Sequence, residues 1–170
     1  MEKTRQHIKT ISREAIPRAV QKAERYRLLN QSWATESICL DILEVDPGNQ
    51  QVLVMFLLSL TDQFGAEAGE LVRRAQAVLE RLTDPYQRFY YAGIIDERLG
   101  HAKLEHAAMH AEAIAYRSFC TAMTAYEQAE QIRQPGNDDA ILRWNTCARA
   151  IERMQEDEET ESDVAPTFGE

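Results

Sequence analysis

Ile-Leu-Glu-Val-Asp-Pro-Gly-Asn, residues 42–49, joins the end of an apolar helix to a cluster of four turn formers. Helix is the natural reading upstream, because Trp33 to Val45 contains neither Gly nor Pro. A second stop of the same kind, Gln134-Pro135-Gly136-Asn137, lies far down the chain. Most of what separates the two is equally helix-like. The whole chain of 170 residues has only seven Gly and five Pro, and it is rich in unbranched residues that lose little rotamer freedom in a helix. No stretch shows sustained alternation of apolar and polar residues, so the fold class is all-α.

Working outward, Ile8, Ile11 and Ala15 predict a short leading helix over residues 1–16, interrupted by Pro17. Pro17 to about Leu29 forms the next helix, with Ala19, Ala23 and Tyr26 as its inner stripe. Beyond Asn49, Val52 to Leu60 is apolar on nearly every side and is expected to be the most buried helix, ended by Gly65. Leu71, Val72, Ala75, Val78, Leu79 and Leu82 follow the i, i+3, i+4, i+7 template. Thr83-Asp84-Pro85 then reads as a stop, an N-cap and a Pro start. Tyr86, Phe89, Tyr90, Gly93 and Ile94 share a face of the helix that follows, which Gly100 closes.

From Ala102 to Arg133 there is no Gly or Pro, and Leu104, Ala108, Ala111, Ala115, Phe119, Ala122, Tyr126 and Ala129 recur at helical spacing. This predicts one unusually long helix of roughly 48 Å at 1.5 Å per residue, or two with an unsignalled kink. Asn137 caps a last helix carrying Ile141, Trp144, Ala148 and Ile151. About seven helices result.

Helix pairs divided by Asp-Pro-Gly-Asn and Gln-Pro-Gly-Asn suggest a repeat. Ala23, Tyr26, Ile42 and Pro47 fall in register with the small, aromatic, small and Pro positions of one family, and the chain resembles the tetratricopeptide repeat, whose units are about 34 residues long. Leu53, Phe56, Ala68, Val72 and Ala75 supply a second unit. Phe89, Gly93 and Gly100 supply a third, with the family's spacing between the two glycines. Ile42 stands where a small residue is usual, and Pro47 and Pro85 are 38 residues apart. The resemblance implies antiparallel helix pairs in a short right-handed superhelical array over residues 17–155, closed by the helix after Pro135.

It also implies a partner-binding groove lined by the first helix of each pair. The register assigns to it Gln21, Glu24 and Arg27 in the first unit, Tyr90, Tyr91, Glu97 and Arg98 in the third, and Arg143 and Arg149 in the last helix. Aromatic and Arg side chains suit recognition of a protein or peptide. The competing expectation is that Tyr90 and Tyr91 pack inside and the arginines are ordinary solvated charges. Small acidic members of the family include secretion chaperones, a narrower alternative.

The formal charge of −9 is uneven. Residues 155–170 carry seven acids and no base, so residues 156–170 are expected to form an acidic disordered tail; the remaining body has 21 acids and 19 bases. Residues 1–27 carry eight bases against three acids. The tail either lies transiently over that basic segment or merely solubilises the chain. A body so near neutrality offers no general nucleic-acid surface. The longest apolar run, Val52 to Leu58, is too short for a membrane span, and the amino end reads as no secretory signal. Cys39, Cys120 and Cys147 are widely spaced and odd in number, which fits buried thiols and a cytoplasmic address. A homodimer through an exposed helix face is a further expectation, since the apolar helix at 52–60 needs cover.

Chemistry finds little support. There is no Gly-rich phosphate loop and no nucleophile elbow. His106 and His110 would stand one turn apart on a continuous helix, a spacing that a metal can bridge. The segment is not His-Glu-x-x-His, since residue 107 is Ala, and no other helix supplies a second pair. The expected function is therefore a non-catalytic scaffold without cofactor, with a metal protein built on His106 and His110 as the alternative.

Overall fold

The computed structural model describes residues 7–106 and 110–164, the last seven by backbone alone. Among the described residues every regular element is helical: a 3₁₀ turn (Arg13–Ala15), then α1 (Ile16–Leu28), α2 (Ser32–Val45), α3 (Gln50–Thr61), α4 (Gly69–Leu79), α5 (Pro85–Glu105), α6 (Ala111–Gln131) and α7 (Asp139–Val164). None of these helices is long and apolar enough to cross a membrane. Two starts follow their sequence signals closely. Asn49 accepts a hydrogen bond from the Val52 amide at 3.1 Å, and Asp84 accepts one from Gln87 at 3.3 Å with Pro85 opening the helix behind it.

Four expectations about element ends need correction. No leading α-helix forms within residues 7–15, where only the 3₁₀ turn is regular; residues 1–6 lie outside the described part. A helix running into α1 would carry Pro17, which lacks an amide donor and crowds the carbonyl four residues back. Gly100 does not close α5, which continues to Glu105. The long helix over 102–133 is two separate helices: α5 ends before His106, α6 begins at Ala111, and His110 adopts a left-handed φ of 65°. At the carboxyl end, α7 carries the acidic stretch as helix to Val164, and residues 165–170 lie outside the described part.

Consecutive helices pair in antiparallel fashion, as cross-contacts show. Thr35 Oγ1 donates to the Ala23 carbonyl at 3.2 Å while an Arg13 guanidinium nitrogen reaches the Val45 carbonyl at 3.2 Å, so α2 runs back along α1. Gln50 bonds the Arg81 carbonyl and Arg74 lies over the Phe56 ring, which turns α4 back along α3. Gly93 faces Tyr126 and Gly100 faces Phe119, so α6 descends along α5. The glycines are required here: a Cβ on Gly93 would stand 2.7 Å from Tyr126 Cδ1, and one on Gly100 would stand 2.8 Å from Phe119 Cε1. The antiparallel return of α6 brings Ala115, Phe119, Ala122, Tyr126 and Ala129 against α5 and α7, and all five are fully buried. A straight helix would leave that stripe in water, and the cost of exposing two aromatic side chains exceeds the strain of one left-handed residue.

The interior forms two adjoining clusters. Val20, Ile42, Leu53, Phe56, Leu57, Leu60, Val78 and Leu82 make the first, from α1 to the end of α4, and Ile95 of α5 joins it. Ile94, Phe119, Ala122, Tyr126, Ala140 and Cys147 make the second, and Tyr91 packs against both. Helix α3 is the most buried, as its composition predicts, and its cover comes from α1, α2, α4 and α5 of the same chain.

Candidate binding face

The alternate helices lie side by side and run the same way. Gln51 donates to Glu24 Oε1 at 3.0 Å, and Arg27 reaches Asp62, so α3 is parallel to α1. Thr83, just before α5, bonds Gln50 at the start of α3, while Arg98 bonds the Leu58 carbonyl and Thr61 Oγ1 at its end. Tyr86 reaches Asn137 before α7, and Arg143 within α7 reaches Glu97. Helices α1, α3, α5 and α7 thus run the same way, each linked by side-chain contacts to the next.

Two clefts open between these helices. The first, of about 350 Å³, lies between α1 and α3 and is lined by Glu24, Arg27, Leu28, Gln51, Val54, Met55 and Leu58. Leu28 is 82% exposed at its rim. The second, of about 380 Å³, lies between the amino ends of α5 and α7 and includes Tyr86, Tyr90 and Tyr91. Burial raises the phenol of Tyr91 above its ordinary value, so the group is neutral at physiological pH.

Beside the first cleft runs a chain of charges. Asp62, one residue past α3, takes Arg98 as a hydrogen-bonded ion pair. Arg27 Nε lies 3.2 Å from the other carboxylate oxygen, at an angle too poor for a hydrogen bond. All three side chains are at most 29% exposed, which makes this pair of contacts worth more than a surface ion pair. One carboxylate thus ties α1, α3 and α5 together.

The residues assigned to a groove by sequence separate into three groups. Glu24, Arg27, Tyr90 and Tyr91 line the two clefts, and Arg98 lies beside the first, paired with Asp62. Glu97 is only 2% exposed and serves the interior: Tyr126 donates to its Oε2 at 2.6 Å and Arg143 to its Oε1 at 3.1 Å. Burial alone would lower the Arg143 guanidinium, but Glu97, Tyr126 and Tyr90 together outweigh it and raise it. Gln21 and Arg149 line neither cleft. The tyrosines are half-buried, between the two competing expectations. The repeat register names no groove residue in the second unit, and so misses Gln51, Val54, Leu58 and Asp62. A helix apolar on nearly all sides gives no polar residue to single out, and Asp62 stands beyond the helix end.

Reactive groups are sparse. His106 and His110 do not stand a turn apart on one helix, because α5 ends at Glu105 and α6 begins at Ala111, and the His106 ring Nδ1 lies 2.9 Å from the Ala102 carbonyl. Among the described residues no group of three His, Cys, Asp or Glu side chains could hold a metal ion. Burial pushes the thiols of Cys39 and Cys147 up to about 12, away from nucleophilic reactivity, and all three cysteines are free. Comparison with protein families, curated proteins and solved structures returns no match.

Proposed function

We propose that this chain is a non-catalytic interaction scaffold of tetratricopeptide-like kind, which takes an extended or helical segment of a partner protein along the face of α1, α3, α5 and α7. The observation that carries the reading is the parallel alignment of alternate helices, since it joins two clefts from different helix pairs into one surface. Val54 and Leu58 give that surface an apolar floor, while Glu24, Gln51 and the tyrosine hydroxyls supply directed polar contacts. Three free cysteines suit a reducing, cytoplasmic setting.

The test is site-specific photo-crosslinking with a benzophenone amino acid at Leu58, at Tyr91, and at Ser37 on the outer side of α2. One protein captured from Leu58 and Tyr91, absent from Ser37, and lost in a Leu28→Glu, Gln51→Arg variant supports the reading. Equal capture from Ser37, or capture indifferent to those substitutions, overturns it.

A further inference from the structure

The cleft at the amino ends of α5 and α7 combines stacked aromatic rings with two exposed carboxylates, Asp84 and Asp139. Its walls include Asp84, Tyr86, Gln87, Tyr90, Tyr91 and Asp139, and no Lys or Arg is among them. Tyr86 stacks on Tyr90 with centroids 5.8 Å apart and planes 14° apart, and Tyr90 meets Tyr91 edge-on at 5.2 Å. The Tyr86 hydroxyl donates to Asn137 Oδ1 at 3.4 Å, which anchors the ring to the loop before α7. The aromatic wall is therefore held in place by contacts within the chain.

Charge decides what such a wall can hold. Two helix amino ends open here, each equivalent to about half a positive charge. Asp84 and Asp139 are both exposed and carry a full negative charge apiece, so the cleft retains about one negative charge. Of the neighbouring cations, Arg143, which contacts Tyr90, is held by Glu97, and Arg27, whose field reaches Tyr91, is paired with Asp62. Arg133 is paired with Glu130 and Asp138. Arg88, exposed one turn past Asp84, makes no ion pair among the described residues and does not line the cleft. An anion would meet both carboxylates and the negative faces of the rings. A neutral group would gain little from either. A cation gains from both.

We propose that this cleft binds an organic cation, a guanidinium or an alkylammonium, presented as the Arg or Lys side chain of the partner segment. Assigning the cation to a partner's side chain rests on the groove reading above; the affinity for a cation does not. The same chemistry could be met by a free small amine, and the experiment separates the two sources.

The full chain, labelled with ¹⁵N, is titrated with n-butylguanidinium chloride at constant ionic strength, with n-butylurea as the uncharged counterpart. Butylguanidinium is expected to shift the amides of 86–91 and 137–139, and butylurea to shift none. The double variant Asp84→Asn, Asp139→Asn keeps the helix cap, because Asn caps as well as Asp, and is expected to weaken binding about tenfold or more. Tyr86→Leu keeps apolar bulk without the ring and is expected to weaken it as well. Equal binding of butylurea, unchanged affinity in the double variant, or shifts confined to other regions would each overturn the cation cleft. A heptapeptide with one central Arg among Ala and Leu then reports the source. Binding about tenfold tighter than butylguanidinium, with shifts reaching Val54 and Leu58, supports the partner side chain. A peptide that binds no tighter than butylguanidinium keeps the cation cleft and overturns the groove reading. One that binds the groove equally well in the double variant overturns the cleft alone.

Discussion

The Tyr126 hydroxyl donates to Glu97 Oε2 across 2.6 Å, joining the middle of α6 to the middle of α5 where water does not reach. Arg143 of α7 takes the other oxygen of the same carboxylate. Three helices therefore converge on one buried negative charge, and the charge is tolerable because both of its oxygens are bonded.

Replacing Tyr126 with Phe keeps the ring against Gly93 and removes only the hydroxyl. A hydrogen bond to a charged group is lost and one carboxylate oxygen is left dry, so the cost is expected at about 2 kcal/mol. Glu97→Ala removes the charge that holds Arg143 and is expected to cost more, about 3–5 kcal/mol. Urea unfolding of both variants measures these values. A Phe variant as stable as the parent would mean that solvent reaches the carboxylate.

Glycine substitutions should change sign with position. Ala in place of Gly93 or Gly100 gains about 1 kcal/mol of helix propensity but drives a methyl into Tyr126 or Phe119, an overpacking cost of about 1–3 kcal/mol or more. Net destabilisation is expected at both. At Gly69, which starts α4, an added methyl would meet nothing within 4 Å, and Gly69→Ala is expected to be neutral or to stabilise by up to about 1 kcal/mol. Thermal unfolding of the three variants checks the contrast.

The parts of this fold that sequence makes legible are those set by local chemistry. Asp46-Pro47-Gly48-Asn49 ends α2 and starts α3, Asp84-Pro85 starts α5, and the apolar circumference of 52–60 marks the central helix. Gly93 and Gly100, noticed for their spacing, have a physical reason in the rings of Tyr126 and Phe119. What stays hidden is set by tertiary packing. The end of α5 and the start of α6 have no Gly or Pro to announce them, because the burial of Phe119 and Tyr126 selects two helices and His110 accepts the left-handed backbone. Glu97 and Arg98 are neighbours of similar polarity, yet one lies buried beneath Tyr126 and the other reaches Asp62 on the open face. Only the rotation of α5 against its neighbours separates them.

That left-handed residue gives a direct test of the turn. At φ 65° a side chain with a Cβ carries a strain of roughly 1–2 kcal/mol that Gly lacks. His110→Gly is therefore expected to raise stability by about 1 kcal/mol, less some loss from the greater freedom of Gly in the unfolded chain. His110→Val should lower it, because branching at Cβ is worst tolerated there. If both variants weakened the fold equally, the side chain of His110 rather than its backbone would be holding the turn.

Asp96 provides the pH signature. It stands in a cleft between α5 and α6 beside Ala92, Cys120, Thr121 and Thr124, and makes no hydrogen bond or ion pair among the described residues. Burial alone pushes its carboxyl from 3.8 up to about 6. Between those values the folded chain holds a proton that the unfolded chain has released, so this group makes stability fall as pH rises through the window and then level off. The full shift corresponds to about 3 kcal/mol, and solvent reaching part of the carboxylate reduces this to about 1 kcal/mol. Asp96→Asn is thus expected to stabilise the chain by about 1 kcal/mol at neutral pH and to leave it nearly unchanged near pH 4. The quantity to measure is the difference in unfolding free energy between variant and parent from pH 4 to pH 8, in which the other titrating groups cancel. A difference that is flat across this range, or that favours the parent at neutral pH, would show that Asp96 finds a compensating partner in solution.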